Sequence, residues 1–428
     1  MKFLKQLSLY TIVGVVSAGV NFFIMPVLSH YLSPADYGLF SLFNSYISIL
    51  IPIVSLSAYS IINVDYYTKK DDRAFARQFS SLQLIPVFNA LVLAIGAWLF
   101  YSRLMAPLEL ERAGSHWGYI IIALTLISIF NEQFSVFLVI QKKAGLFAFY
   151  SLLKTALEIG LTVLFVVKLD MGWEGRMYSW LIGSLVHFVL GTLYFYRQGM
   201  LTTQLEWRYV RQGLLFGAPL VLHGVGKFVV NQSDRLFIVK LVPHGLDEAG
   251  IYGIGYTVGM LVMVAINAFF NFYTPFQMEK LADGSSESKL QIVKVGYVYV
   301  GISVALLAGL AIFSPILFHY FIDERYAGGL KYVFWVGLGY IFWGGYMLFS
   351  GVIFYLKRSG ILGWLAIFNV VSNILFNLFF IRYFGAIGAA YATALSFFLL
   401  MMVVAWIAQR LIPLPWLQFK KVKQAALS

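Results

Sequence analysis

Apolar stretches of about 20 residues, separated by short polar clusters, recur from one end of the chain to the other. That is the length of helix needed to cross a hydrocarbon layer about 30 Å thick. Cutting the sequence at the polar clusters predicts twelve spans, at 8–31, 37–62, 79–100, 118–140, 146–168, 177–196, 213–241, 249–275, 291–313, 331–354, 360–381 and 386–408. The expected fold is an all-α polytopic membrane protein. The first apolar run, Leu7 to Leu32, is too long for a signal-peptide core and lacks a small-residue cleavage site, so it is read as span 1.

Composition agrees with this pattern. The 428 residues are 60% hydrophobic and 12% charged, whereas soluble domains carry about 25% charged residues. Mean hydropathy is +0.80. Such a chain cannot cover a water-exposed surface, which excludes a soluble enzyme or a nucleic-acid binder. Cysteine is absent, so thiolate chemistry and disulfides are excluded as well. Aromatic residues make up 18%, as expected of interfacial belts.

The net charge of +12 is a topology signal. Laid on alternate sides of the spans, 20 Lys and Arg fall on one side and 8 on the other, with Lys154, Lys227 and Arg235 inside spans. The basic-rich side is expected to be cytoplasmic, which places both termini there.

The chain also resembles itself. Asp36-Tyr37-Gly38-Leu39-Phe40 pairs with Glu248-Ala249-Gly250-Ile251-Tyr252. Lys142-Lys143-Ala144-Gly145 pairs with Lys357-Arg358-Ser359-Gly360, and the segment 173–178 pairs with 386–391, at offsets of 212, 215 and 213. Two six-span lobes are expected, over 1–200 and 201–428, joined by a linker at 197–212. An even number of spans per copy gives a parallel repeat, common in secondary transporters, where the substrate lies between the halves. A central cavity is expected there.

An ionisable residue at the bilayer centre costs about 2.5–3.5 kcal/mol unless it meets a partner or water. Span 7 carries His223, Lys227, Asn231, Asp234 and Arg235 at i, i+4, i+8, i+11 and i+12, a stripe along one helical face. At an offset of 210, Asn231 pairs with Asn21, while Lys227, Asp234 and Arg235 pair with Ser17, Ile24 and Met25. The fold therefore does not demand charge at those three positions. Lys227 and Arg235 are candidates to line the cavity and attract a diphosphate; the alternative is that Asp234 neutralises Arg235 locally. Lys154 and Glu158 form an i,i+4 pair that is either self-neutralising or cavity-facing. Glu132 is a candidate proton carrier for ion coupling; the alternative is that it faces a water-exposed inner vestibule. Asn369, Asn373 and Asn377 repeat at i+4, suited either to sugar hydroxyls or to bonding between helices. His187 reads as packing. The pairs Gly213…Gly217 and Gly255…Gly259 read as close helix contacts. No GxxxxGK[ST] loop occurs; no cofactor or metal is expected.

The motif Leu32-Ser33-Pro34-Ala35-Asp36-Tyr37-Gly38-Leu39-Phe40 after a helix carrying Asn21, the basic-Gly starts of spans 5 and 11, and the twelve-span layout resemble Wzx-type polysaccharide flippases. These belong to the multidrug/oligosaccharidyl-lipid/polysaccharide exporter superfamily. The resemblance implies movement of undecaprenyl-diphosphate-linked oligosaccharide from the cytoplasmic to the periplasmic leaflet of a bacterial inner membrane, for O-antigen or another surface polysaccharide. It implies the phospholipid bilayer as surroundings, a polysaccharide polymerase and a chain-length regulator as candidate partners, and no nucleic acid. Rival readings are a drug/cation antiporter, a peptidoglycan-precursor flippase, and a membrane polymerase or ligase. The last would need a larger outer segment than 101–117 or 314–330 provides.

Overall fold

The computed structural model describes residues 22, 24–69, 71–100, 114 and 116–416, apart from the side chain of Ser359. Among them every regular element is helical, and eleven helical segments are long and apolar enough to cross a membrane. These are Pro34–Ser55, Asp72–Leu99, His116–Ile140, Ala144–Lys168, Gly172–Arg197, Trp207–Leu241, Gly245–Asp283, Ser286–Tyr320, Glu324–Tyr355, Gly360–Phe384 and Ile387–Leu411. They coincide in order with spans 2 to 12 and keep those numbers below. Span 1 lies largely outside the described residues, which show helix at 24–31.

Local chemistry sets the boundaries. Span 2 opens with a capping box: the Ser33 hydroxyl accepts from the Asp36 amide at 3.1 Å, and the Asp36 carboxylate accepts from the Ser33 amide at 3.3 Å. Pro34 occupies the first helical position, where no amide hydrogen is needed. Asp71 caps span 3 by accepting from the amides of Arg73 and Ala74. Span 3 then breaks at Gln83, between Asp72–Leu82 and Leu84–Leu99. Pro86 explains the break, since it has no N–H for the Leu82 carbonyl and its ring crowds that group.

Spans 4 and 10 end in the same turn. Lys142 and its repeat mate Lys357 both take left-handed backbone, each with φ 56°. The next amides reach back five residues, Lys143 to the Leu138 carbonyl at 2.9 Å and Arg358 to the Ile353 carbonyl at 3.1 Å. Both are Schellman caps, so the repeat read from the basic-Gly motif holds at the level of backbone torsions.

Contacts divide the chain into two compact units. One comprises Met1–Ile24 and Leu39–Phe228, the other Met25–Gly38 and Val229–Ser428. The sequence points to the 197–212 linker as the boundary; the contact division falls inside span 7, between Phe228 and Val229. The reason is visible in its glycines. In the first unit, a side chain at Gly213 would meet Leu82, one at Gly217 the Leu56 carbonyl, and one at Gly224 Pro52. The first half of span 7 thus packs closely on elements that precede the linker. That unit has an aromatic core including Phe75, Phe79, Phe134, Phe137 and Phe195. In the second unit, Val230, Ile353, Leu365, Phe397 and Val404 pack together, and Gly255 and Gly259 lie against Gly329 and Val336.

The second unit also contains the meeting of two repeat-related glycines. A Cβ on Gly38 would lie 1.9 Å from the Leu246 carbonyl oxygen, and one on Gly250 would lie 1.9 Å from that of Pro34. The starts of spans 2 and 8 therefore touch backbone to backbone. Beside them, Arg325 donates to the Ser29 and His30 carbonyls at 3.2 and 3.0 Å, and the Tyr326 hydroxyl donates to that of Leu32. Asp323 holds the guanidinium at 2.8 Å, and the hydrogen bond from Arg325 keeps the Asp323 carboxyl below the usual carboxylate range.

Gly38→Ala or Gly250→Ala is expected to lower stability by about 1–3 kcal/mol through overpacking. Gly145→Ala, where nothing lies within 4 Å, should be neutral or mildly stabilising. Thermal unfolding in detergent compares the three; equal melting temperatures for all would contradict the close contact.

Candidate functional site

Span 7 is 35 residues long, about 52 Å at 1.5 Å per residue, so its polar stripe passes through different surroundings. His223 and Lys227 are exposed and Asn231 is half-buried, while Asp234 and Arg235 are buried. Lys227 belongs to the first unit and Asn231 onward to the second. Asn21, the repeat mate of Asn231, lies outside the described residues.

Around Asp234 and Arg235 the second unit builds a closed polar cluster. The Arg235 Nη1 lies 3.2 Å from the Asp234 Oδ1. The Tyr252 hydroxyl donates to the other carboxylate oxygen. The guanidinium stands 4.6 Å from the centre of the Tyr256 ring, a cation–π distance. The Tyr256 hydroxyl pairs with that of Tyr340 at 2.6 Å and reaches the Asn231 carbonyl at 3.3 Å. Charge, hydrogen bonds and ring faces are thus supplied locally, the arrangement in which Asp234 neutralises Arg235. Sequence reasoning passed over the three tyrosines by assigning aromatics to interfacial belts. The i,i+4 spacing of Tyr252 and Tyr256, one span after a buried charge pair, was the available signal.

In the first unit, Lys154 Nζ and Glu158 Oε1 are 3.5 Å apart and both side chains are half-buried. Nearby His187 is buried, its Nδ1 2.9 Å from the Asn131 Oδ1, and Asn131 donates to the Ser184 carbonyl at 3.0 Å. This ties span 4 to span 6. Glu132 is exposed and accepts from the Tyr59 hydroxyl.

Asn369, Asn373 and Asn377 are all buried. Asn377 donates to the Asn373 carbonyl and side chain, each at 3.0 Å, and Asn373 donates to the Ser396 hydroxyl of span 12 at 3.3 Å. Asn373, a candidate for sugar contacts in the sequence, sits with Asn377 in a ladder that binds span 11 to its neighbour, the use amides find where no water competes; Asn369, the other candidate, is buried without a partner for its Oδ1.

Sequence reasoning also missed a cavity of about 200 Å³ in the first unit, walled by spans 3, 4 and 6. Among the described residues no group of His, Cys, Asp or Glu could hold a metal ion.

Comparison with known proteins fits this geometry. A family model described as "Polysaccharide biosynthesis protein" matches residues 3–275. A Haemophilus influenzae protein described as "Lsg locus putative protein 1" is 26% identical over 289 residues, 66% of this chain and 67% of that one. Among solved structures, an inward-facing multidrug resistance MATE family transporter of the MOP superfamily superposes with TM-score 0.73 at 15% identity, over 95% of this chain and 96% of the other. An outward-facing structure of a MATE family transporter gives 0.60 at 16%, covering 98% and 96%. The shared feature is the fold.

Replacing Arg235 alone by Met is expected to cost about 3–5 kcal/mol, because Asp234 is left charged and buried. Replacing Asp234 by Leu in the same chain should recover most of the loss. Thermal unfolding of the singles and the double checks this; a double variant no better than Arg235→Met would contradict a locally closed pair.

Proposed function

The chain belongs to the polysaccharide biosynthesis protein family, and from that premise we propose that it is a flippase for lipid-linked oligosaccharide. The substrate is an undecaprenyl-diphosphate-linked repeat unit, carried from the cytoplasmic to the periplasmic leaflet of a bacterial inner membrane for O-antigen or related surface polysaccharide. Both termini are cytoplasmic in this reading. A polysaccharide polymerase and a chain-length regulator would take over the product.

The observation that carries the reading is the exposure of Lys227 within an apolar span, one turn from exposed His223. An ammonium facing hydrocarbon is penalised by about 2.5–3.5 kcal/mol, so its exposure supports a water-lined path. The repeat supports it from another side, since the paired position is Ser17 and the fold makes no demand for a cation there. A compact ammonium suits the diphosphate of the carrier, the one strongly charged part of such a substrate. Arg235, enclosed by Asp234 and tyrosines, supports the local helix packing and is not assigned to substrate. The MATE-like fold supports transport by alternating access of two repeats. With no nucleotide-binding loop in the sequence, the driving force in this reading is an ion gradient, with Glu132 as the proton carrier, or the gradient of the substrate itself.

Lys227→Ala should abolish surface polysaccharide when expressed in a flippase-null strain, with the protein still present in the membrane fraction. Lys227→Arg should restore part of the output. Wild-type polymer from Lys227→Ala, scored by gel profile of the surface glycan, would defeat the proposal.

A further inference from the structure

Spans 5 and 6 of the first unit gather three ionisable side chains at one contact. Lys154 and Glu158 stand one turn apart on span 5, with Nζ 3.5 Å from Oε1. Span 6 makes room for the acid, since a Cβ on Gly183 would lie 2.5 Å from the Glu158 Cγ. One turn further along span 6, His187 is buried and feels the Lys154 charge. The tautomer of His187 follows from its partner. Asn131 donates its amide nitrogen to the Ser184 carbonyl, so the Oδ1 it turns to His187 accepts, and Nδ1 carries the hydrogen. Nε2 is the basic nitrogen of this ring.

The second repeat shows what this contact needs for packing alone. The offsets of 215 and 213 pair Lys154 with Asn369, Glu158 with Asn373, Gly183 with Ser396 and His187 with Leu400. All four mates are neutral. In the second unit Asn373 donates to the Ser396 hydroxyl at 3.3 Å, so amide and hydroxyl close the joint without charge. In the first unit a carboxylate replaces the amide, and glycine removes the hydroxyl that would have answered it. Glu158 Oε1 is buried without a hydrogen-bond partner. Its 3.5 Å separation from Lys154 is long for a charge-assisted bond, which runs about 2.7–2.9 Å. Charge within a span is costly, and here the fold has a cheaper solution in its other copy.

We infer that the Glu158 carboxylate is a proton-binding site, with Lys154 as its counter-charge and His187 bordering it. The ligand follows from the charges. A metal ion would meet the Lys154 ammonium, and an anion would meet the Glu158 carboxylate; a proton suits both neighbours. Taken up from water, it forms an O–H bond on the carboxylate, which gains a donor and loses its charge. The attraction that holds Lys154 to Glu158 then ends, and the ammonium is released. Solvent access is open, since the side chains of Lys154 and Glu158 keep 30% and 17% of their surface. Span 4, which packs beside both helices, brings one acid, Glu132, and that one accepts from the Tyr59 hydroxyl instead. The Glu158 site is therefore additional to Glu132. Its use in coupling rests on the flippase reading; its titration does not.

The test compares the full chain in lipid nanodiscs with a double variant, Lys154→Asn with Glu158→Asn, which copies the neutral pair of the second repeat. Infrared spectra are recorded across acid and neutral pH, with no substrate present. Subtracting the variant from the wild type should leave one protonated-carboxyl band that grows as pH falls, and Glu132→Gln should retain it. The double variant should keep the wild-type melting temperature yet lose surface polysaccharide in a flippase-null strain. Glu158→Gln serves as the second variant and should lose the same band. A difference spectrum without that band, at every pH where the fold survives, would overturn the inference. A lowered melting temperature in the double variant would assign the pair to packing and overturn it too, as would wild-type polymer from that variant. A wild-type chain that shows the band yet fails to complement the strain would instead refute the transport reading and leave the proton site standing.

Discussion

Hydrocarbon offers no hydrogen bonds, so a polar side chain carried into a span must find its partner within the protein or beside water. That constraint orders most of what the structure contains. Arg235 is neutralised by its chain neighbour and packed on a tyrosine face; Asn373 and Asn377 of span 11 are paired along their own helix and across to span 12; His187 and Asn131 tie two helices together. Each solution is local. Buried polar atoms without a partner also occur, those of Gln83 and Gln133 among them, while His223 and Lys227 stand exposed on span 7.

Span 7 brings both kinds together on one helix. Its first half is held by glycine contacts to residues 52–82 and its second half by the tyrosines of spans 8 and 10, so its residues are shared between the two compact units of the chain. The segment 25–38 is assigned to the second unit in the same way, held there by the Gly38–Gly250 contact and by Arg325 on the last carbonyls of the first helix. The covalent order of the halves and the order of their contacts therefore differ at both of these places.

Much of this was legible in the sequence. Hydrophobic length located eleven spans, because the bilayer imposes one scale on all of them, but several ends differ by five to eight residues, as at 249–275 against Gly245–Asp283. The repeat was legible through its turns: the Asp36 and Glu248 motifs place small residues where backbones meet, and the Lys142 and Lys357 motifs code for the same cap. The stripe on span 7 was legible only as an azimuth. Periodicity fixes which residues share a face, but says nothing of what opposes that face, and over 35 residues the opposition changes. Tyr252, Tyr256 and Tyr340 were hidden because a tyrosine in a membrane protein is equally at home at an interface. Gln83 and Gln133 were hidden because lone amides have no pattern, and only a map of partners shows that theirs are missing.

The paired lysines at the ends of spans 4 and 10 carry a further implication. Glycine would adopt the left-handed turn more readily than lysine, yet a cation stands at both places, followed each time by a second one. A side chain at this turn is held in a backbone region that glycine enters freely, so each copy carries a small conformational cost that a glycine would remove.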